Sequence, residues 1–151
     1  MLPIVNKETM LFDIKAENKL ELLRLMVDTM DREGYLSDKE LFFEDVLARE
    51  GVFSTYIDYG ISIPHGKSDG VKEAGVCIAR LAEPVQWSEE EDTETGFVIL
   101  IAVKNQTDSN LHLKILSQLS RNLMHEDFRE KITTEDREHV YEILVKEVGE
   151  K

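Results

Sequence analysis

The sequence predicts an α/β fold, one sheet with helices packed on it. Three observations carry that expectation. Segments with helical periodicity alternate with short apolar segments of strand length. One of the latter, Gly96 to Val103, is apolar throughout, as expected of a central strand covered on both faces. No internal repeat or linker-like stretch divides the 151 residues, so 1–151 reads as a single domain. The connections are too irregular to assign every strand as parallel.

Thr9 to Ile14 is a short apolar segment, either a strand or a lead-in to the first helix. That helix covers Asn18 to Arg32. Leu22, Leu23, Met26, Val27 and Met30 share one side, and Glu21, Arg24, Asp28 and Asp31 the other. Gly34 is its stop. Ser37 or Asp38 caps a second helix, whose buried face is Phe42, Phe43, Val46 and Leu47 and whose end is Gly51. Arg49 lies at the edge of that face in the last turn, where a cation complements the helix dipole. Val52 to Gly60 is a turn-rich connection containing Ser54 and Thr55. Ile61 to Pro64 is a short strand, Lys67 to Lys72 a polar loop, and Ala74 to Leu81 a buried strand that Pro84 to Trp87 extend or turn. Ser88 to Glu94 is an acidic surface loop with no assigned chemistry. Lys104 to Ser109 is a polar loop, and Asp108 or Ser109 caps a third helix, Asn110 to Leu123. His125, Glu126 and Asp127 open a short helical turn containing Phe128 and Ile132. Thr134 caps a last helix with Val140, Ile143, Leu144 and Val148 inside.

Composition narrows the function classes. The net charge of −13 argues against a nucleic-acid-binding face and against docking on an anionic membrane. It suits a basic protein partner. No stretch reaches the roughly 18 apolar residues of a membrane span. Met1 to Glu8 lacks the basic start and apolar core of a signal peptide. The single cysteine, Cys77, cannot form an internal disulfide and sits in an apolar run, as a small buried filler would. The expectation is a cytoplasmic protein.

The candidate chemistry centres on Ile63-Pro64-His65-Gly66. A residue before proline is pushed to extended conformation, and Pro64 cannot continue a ladder. His65 is therefore expected where the chain leaves the sheet, with Gly66 leaving room beside the imidazole. An idle surface histidine is the bland alternative. Among the four histidines, His112 also stands out. It shares a helix face with Ile115, Leu116, Leu119 and Leu123, in the first turn, where free amides and the dipole favour an anion. A satisfied core histidine is the competing account. No pair of histidines has the spacing of a zinc motif, no glycine-rich nucleotide loop is present, and there is no Gly-x-Ser-x-Gly elbow, so metal, nucleotide cofactor and esterase chemistry are not expected.

Arg49-Glu50-Gly51-Val52-Phe53-Ser54-Thr55, followed by Gly60-Ile61-Ser62-Ile63-Pro64-His65-Gly66, closely resembles the active-site signature of the mannitol/fructose-type enzyme IIA domains (type-2 EIIA) of the bacterial phosphoenolpyruvate-dependent sugar phosphotransferase system. Leu111-His112-Leu113 with Ile115 to Leu119 resembles that family's second block. The likeness covers nearly the whole chain. It implies a mixed sheet of about five strands with helices on both sides and no metal or nucleotide. It also implies that His65 accepts a phosphoryl group from phosphorylated HPr and passes it to a cysteine of enzyme IIB. Arg49 and His112 would line the same site, and Ser54 or Thr55 would add a phosphate contact. The chemistry suits these residues: a neutral imidazole is nucleophilic near neutral pH, and an acidic chain needs local donors for phosphate. Tyr56, Asp58, Tyr59 and Ser62 depart from the family's usual small residues, which leaves the partner or pathway open. The nitrogen-type relatives offer an alternative, a regulatory domain whose phosphorylation state controls a protein target.

Overall fold

A computed structural model describes residues 2–105 and 110–149, with the side chain of His112 outside the description. Its centre is β6 (Glu94–Lys104). Alternation along this strand sends Phe97, Ile99, Ile101 and Val103 to one core and Val98, Leu100 and Ala102 to the other. Being apolar on both faces, it is covered on both. Antiparallel to it lies β5 (Gly75–Gln86), which continues through Pro84 after an irregularity between Arg80 and Val85. Parallel to β5 lies β1 (Met10–Ile14).

The opposite edge of β6 carries β3 (Ile61–Ser62) and β4 (His65–Ser68), both parallel to it. The outermost strand is β2 (Tyr56–Asp58), antiparallel to β3. Among the described residues, six strands thus form one mixed sheet. They occupy five positions, because β3 and β4 share one edge of β6.

The break between β3 and β4 corrects two expectations. The strand stops at Ser62 rather than Pro64, and His65 opens the next strand rather than leaving the sheet. Pro64 has no N–H to donate, yet its carbonyl accepts from the Ile101 amide at 3.0 Å. The chain therefore stays against β6 and rejoins the ladder at once, with His65 opposite Ile101. Lys67 and Ser68, expected in a loop, belong to β4, and Ser68 is buried.

On one face lie α1 (Lys19–Arg32) and α2 (Lys39–Val52). Asn18 caps α1 by accepting from the Glu21 amide at 2.8 Å, and Gly34, at φ +90°, follows its end. Its whole expected apolar stripe, Leu22 to Met30, is buried. Each such side chain contributes about 1.5–3 kcal/mol relative to exposure. Asp38 caps α2 through the Leu41 amide, and the helix runs one residue past Gly51.

The other face carries α3 (Leu111–Leu123), α4 (Glu126–Thr134), α5 (Arg137–Leu144) and a π-helical turn, Val145–Gly149. The expected caps Asp108 and Ser109 lie outside the described residues. Thr134 ends α4 instead of capping α5. Asp136 takes that place, with its carboxylate accepting from the His139 amide at 2.9 Å. A carboxylate two residues later satisfies the amide that Thr134 is too early to reach. No described helix is long and apolar enough to cross a membrane.

Candidate functional site

The site forms where α2 meets the β4 edge of the sheet. Gly66 makes this approach close: a Cβ there would sit 2.9 Å from both Phe42 and Val46. The glycine was expected to make room for the imidazole; it makes room for α2. With the helix seated this low, Arg49 in its last turn reaches His65 across the edge.

The Arg49 Nε–H donates to His65 Nε2 at 3.2 Å. On its other side, the His65 Nδ1 lies 3.1 Å from the Ile63 carbonyl oxygen. A carbonyl can only accept, so Nδ1 carries the proton. Nε2 is then the lone-pair nitrogen, as its arginine donor also requires. The two partners together assign one tautomer to the ring. Arg49 is held in turn by Nη1 donating to the Phe53 carbonyl at 3.0 Å, with its guanidinium 4.7 Å from the Phe53 ring centroid.

A cleft of about 350 Å³ opens over this pair, lined by Asp45, Arg49, His65, Gly66 and Lys67. Lys67 went unremarked in the sequence because it reads as loop. Only the ladder to β6 makes this segment a strand, and its alternation then puts Lys67 on the same face as His65. His65 is half-buried, so the ring is supported yet reachable from the cleft.

Ser54 and Thr55 are not among the residues that line this cleft. Ser54 accepts from the Tyr56 amide at 3.1 Å and lines a second depression of about 850 Å³, with Lys19, Glu50 and Trp87. Thr55 is buried, and its hydroxyl donates to Glu50. The backbone of His112 lies in the first turn of α3, as expected; its side chain is outside the described residues. The bulky residues Tyr56, Asp58 and Tyr59 build β2 and its turn into β3. The Tyr56 hydroxyl accepts from the Gly60 amide, and Arg129 lies 3.7 Å from the Tyr59 ring centroid. Val52, Phe53 and Tyr59 are each about two-thirds or more exposed, leaving apolar surface on the segment between Arg49 and His65.

The model of the "Phosphoenolpyruvate-dependent sugar phosphotransferase system, EIIA 2" family matches residues 3–147. A fructose-specific EIIA component of Haloferax volcanii is 38% identical over 84% of this chain and 80% of its own length. The chain also matches Escherichia coli multiphosphoryl transfer protein 2 at 33% identity, but spans only 15% of that longer protein. Among solved structures, the nitrogen regulatory protein IIA-Ntr of Neisseria meningitidis superposes with TM-score 0.83 at 29% identity, over 93% of this chain and 96% of that one. Mannitol IIA of E. coli, solved in complex with phosphorylated mannitol IIB, gives TM-score 0.80 at 27% identity over 94% and 97%. With the match spanning both the Arg49 and the His65 blocks and the whole sheet between them, the chain belongs to the EIIA type-2 family of the phosphoenolpyruvate-dependent sugar phosphotransferase system.

Proposed function

We propose that this chain is a phosphocarrier for sugar uptake, with His65 taking a phosphoryl group from phosphorylated HPr and passing it to a cysteine of enzyme IIB. The observation that carries this is the tautomer of His65: Nδ1–H on the Ile63 carbonyl and an Nε2 lone pair beside Arg49. Nε2 attacks phosphorus, a P–N bond forms, and the bond to the donor breaks with its electron pair leaving on the donor. No proton has to leave His65, since Nε2 carries none. The product is a phosphoramidate whose ring stays anchored through Nδ1. In the second step the cysteine sulfur takes the phosphorus, and the pair returns to Nε2.

Charge spreads over three phosphoryl oxygens during each transfer, so fixed donors do most of the work. Once Nε2 bonds phosphorus, the Arg49 Nε–H is released to donate to an oxygen, alongside other N–H groups of the guanidinium. Lys67 adds positive charge at the cleft. His112, in the first helical turn of α3, would supply a further donor from a position rich in free amides. Ser54 lines the neighbouring depression, with its Oγ accepting from the Tyr56 amide, so a phosphate contact from its hydroxyl is carried by the family likeness alone. Thr55 contributes through its bond to Glu50. The apolar rim of Val52, Phe53 and Tyr59 suits docking of partner proteins, and the relative solved with phosphorylated mannitol IIB supports enzyme IIB as one of them.

The test is incubation with phosphoenolpyruvate, enzyme I and HPr. Labelling should be acid-labile, stable in base and absent from His65→Ala. Undiminished labelling of that variant would overturn the assignment. The likeness to IIA-Ntr supports a second reading, in which the phosphorylation state is read by a regulatory target. Transfer from labelled protein to an enzyme IIB favours the first reading; its absence, with retained labelling, favours the second.

A further inference from the structure

We propose that Glu50 is a positioning residue for the transfer, holding the partners of both His65 ring nitrogens through the short turn that follows α2. This rests on the phosphoryl-transfer role of His65. Glu50 acts on His65 through its neighbours, and its side chain is only 4% exposed. A carboxylate this buried is rare unless its oxygens are paired.

Its pairing is complete and comes from two directions. Lys19 Nζ, at the start of α1, approaches Oε2 at 3.1 Å. That ammonium also donates to the Trp87 carbonyl at 3.0 Å and lies 5.1 Å from the Trp87 ring centroid, so it is anchored to the end of β5. From the other direction Thr55 donates its hydroxyl to Oε1 and its amide to Oε2, the latter at 3.4 Å. Glu50 thereby pins residue 55 to a helix end that is itself tied to α1 and β5.

From Thr55 the backbone leads to the histidine. The Thr55 carbonyl accepts from the Ile63 amide at 3.1 Å, and the Ile63 carbonyl is the partner of His65 Nδ1. From the same turn the Phe53 carbonyl holds Arg49 Nη1, and Arg49 Nε holds His65 Nε2. Residues 53–55 are therefore clamped at one end by Arg49 and at the other by Glu50. Freeing Thr55 loosens the Ile63 carbonyl and the Phe53 carbonyl together, and so the Ile63 carbonyl at Nδ1 and Arg49 at Nε2. Arg49 and Glu50 are sequence neighbours with divided tasks: the first contacts the reacting nitrogen and the second holds the turn that aims it.

The experiment combines three readouts on Glu50→Gln, Thr55→Val and Lys19→Met: imidazole ¹⁵N shifts of His65 in the unphosphorylated protein in alkaline buffer, the rate of phosphoryl transfer from phospho-HPr, and thermal melting. In wild type the shifts should report a single Nδ1–H tautomer. In folded Glu50→Gln they should move toward a tautomer mixture, with transfer slowed on the order of ten- to a hundredfold, mainly in kcat rather than in KM for the donor. Thr55→Val should follow the same direction and carries the comparison if Glu50→Gln does not fold. Glu50→Asp should restore part of the rate. A folded Glu50→Gln or Thr55→Val protein with wild-type ¹⁵N shifts and rate would overturn the proposal. Failure of the wild type to accept phosphoryl would instead overturn the role of His65, and the ring shifts would still show whether Glu50 sets the tautomer.

Discussion

The Nε–H of Arg49 meets Nε2 of His65 at 3.2 Å, between residues on two different elements and 16 positions apart. In the proposed transfer the donor covers the nitrogen that attacks: at rest it secures the lone pair, and once Nε2 bonds phosphorus the same N–H is released to a phosphoryl oxygen. Arg49→Ala should therefore lower the transfer rate by roughly 10²–10³. Arg49→Lys should restore little, because an ammonium cannot bond Nε2 and the Phe53 carbonyl with two fixed N–H vectors. His112→Ala should also slow transfer. Both variants should melt close to wild type, and rapid-quench measurement of label arriving from phospho-HPr reads the rates. Wild-type rates would remove these side chains from the site.

Gly66 tests whether the helix-to-strand approach matters. A methyl group at this position would meet Phe42 and Val46, both buried, at 2.9 Å. Neither can withdraw without disturbing the core. Gly66→Ala should destabilise the protein by about 1–3 kcal/mol, the usual cost of overpacking, as read by urea unfolding. Because relief requires α2 to move away from β4, transfer should also fall in the fraction that remains folded. Unfolding curves that superpose on wild type would show that the approach is looser than the distances indicate.

How much of this was legible depends on what each signal competes with. The α1 stripe and the apolar run of β6 were plain, because burial there is decided by side chains at regular periods. β4 was hidden: it is four residues long, begins after a proline, and mixes glycine, lysine and serine. Its strand character comes from the backbone ladder to β6, and no apolar alternation reports it. Thr134 was a reasonable cap from residue type alone, and only the three-dimensional end of α4 shows Asp136 in that place. At the site, Arg49 and His65 were marked by their motifs. Glu50 stands in the same motif but carries no role there, since a glutamate in a helix end reads as a solvated charge and its partner Lys19 lies 31 residues away.

The cap of α5 carries a pH dependence of stability. His139 Nδ1 sits 2.7 Å from the Asp136 carboxylate. That hydrogen bond, with the charge of Asp136 behind it, raises His139 above its ordinary value of 6.5. Asp136 is lowered below 3.8, first by the His139 amide and then by the ring. A raised histidine contributes fully below pH 6.5, and its contribution is lost as pH rises through the raised value. A lowered aspartate contributes above 3.8 and is lost as pH falls through the lowered value. The melting difference between wild type and His139→Ala should therefore be largest between these limits and shrink on the alkaline side. A difference that grows above neutral pH would exclude this pairing.

Cys77 supplies a test of the core behind the site. It is fully buried in β5, facing α1 and α2. Burial in apolar surroundings pushes the thiol well above its ordinary range, because the thiolate would lose its hydration. The native protein should resist alkylation and disulfide-forming thiol reagents at neutral pH, and urea should release one reactive thiol at the unfolding midpoint. The rate of labelling in native buffer then reports opening of the α1–α2 layer on which Arg49 is mounted. Gly66→Ala, by prying α2 from β4, should raise that rate more than Arg49→Ala does. Equal labelling rates in the two variants would show that seating of α2 does not control exposure of this core.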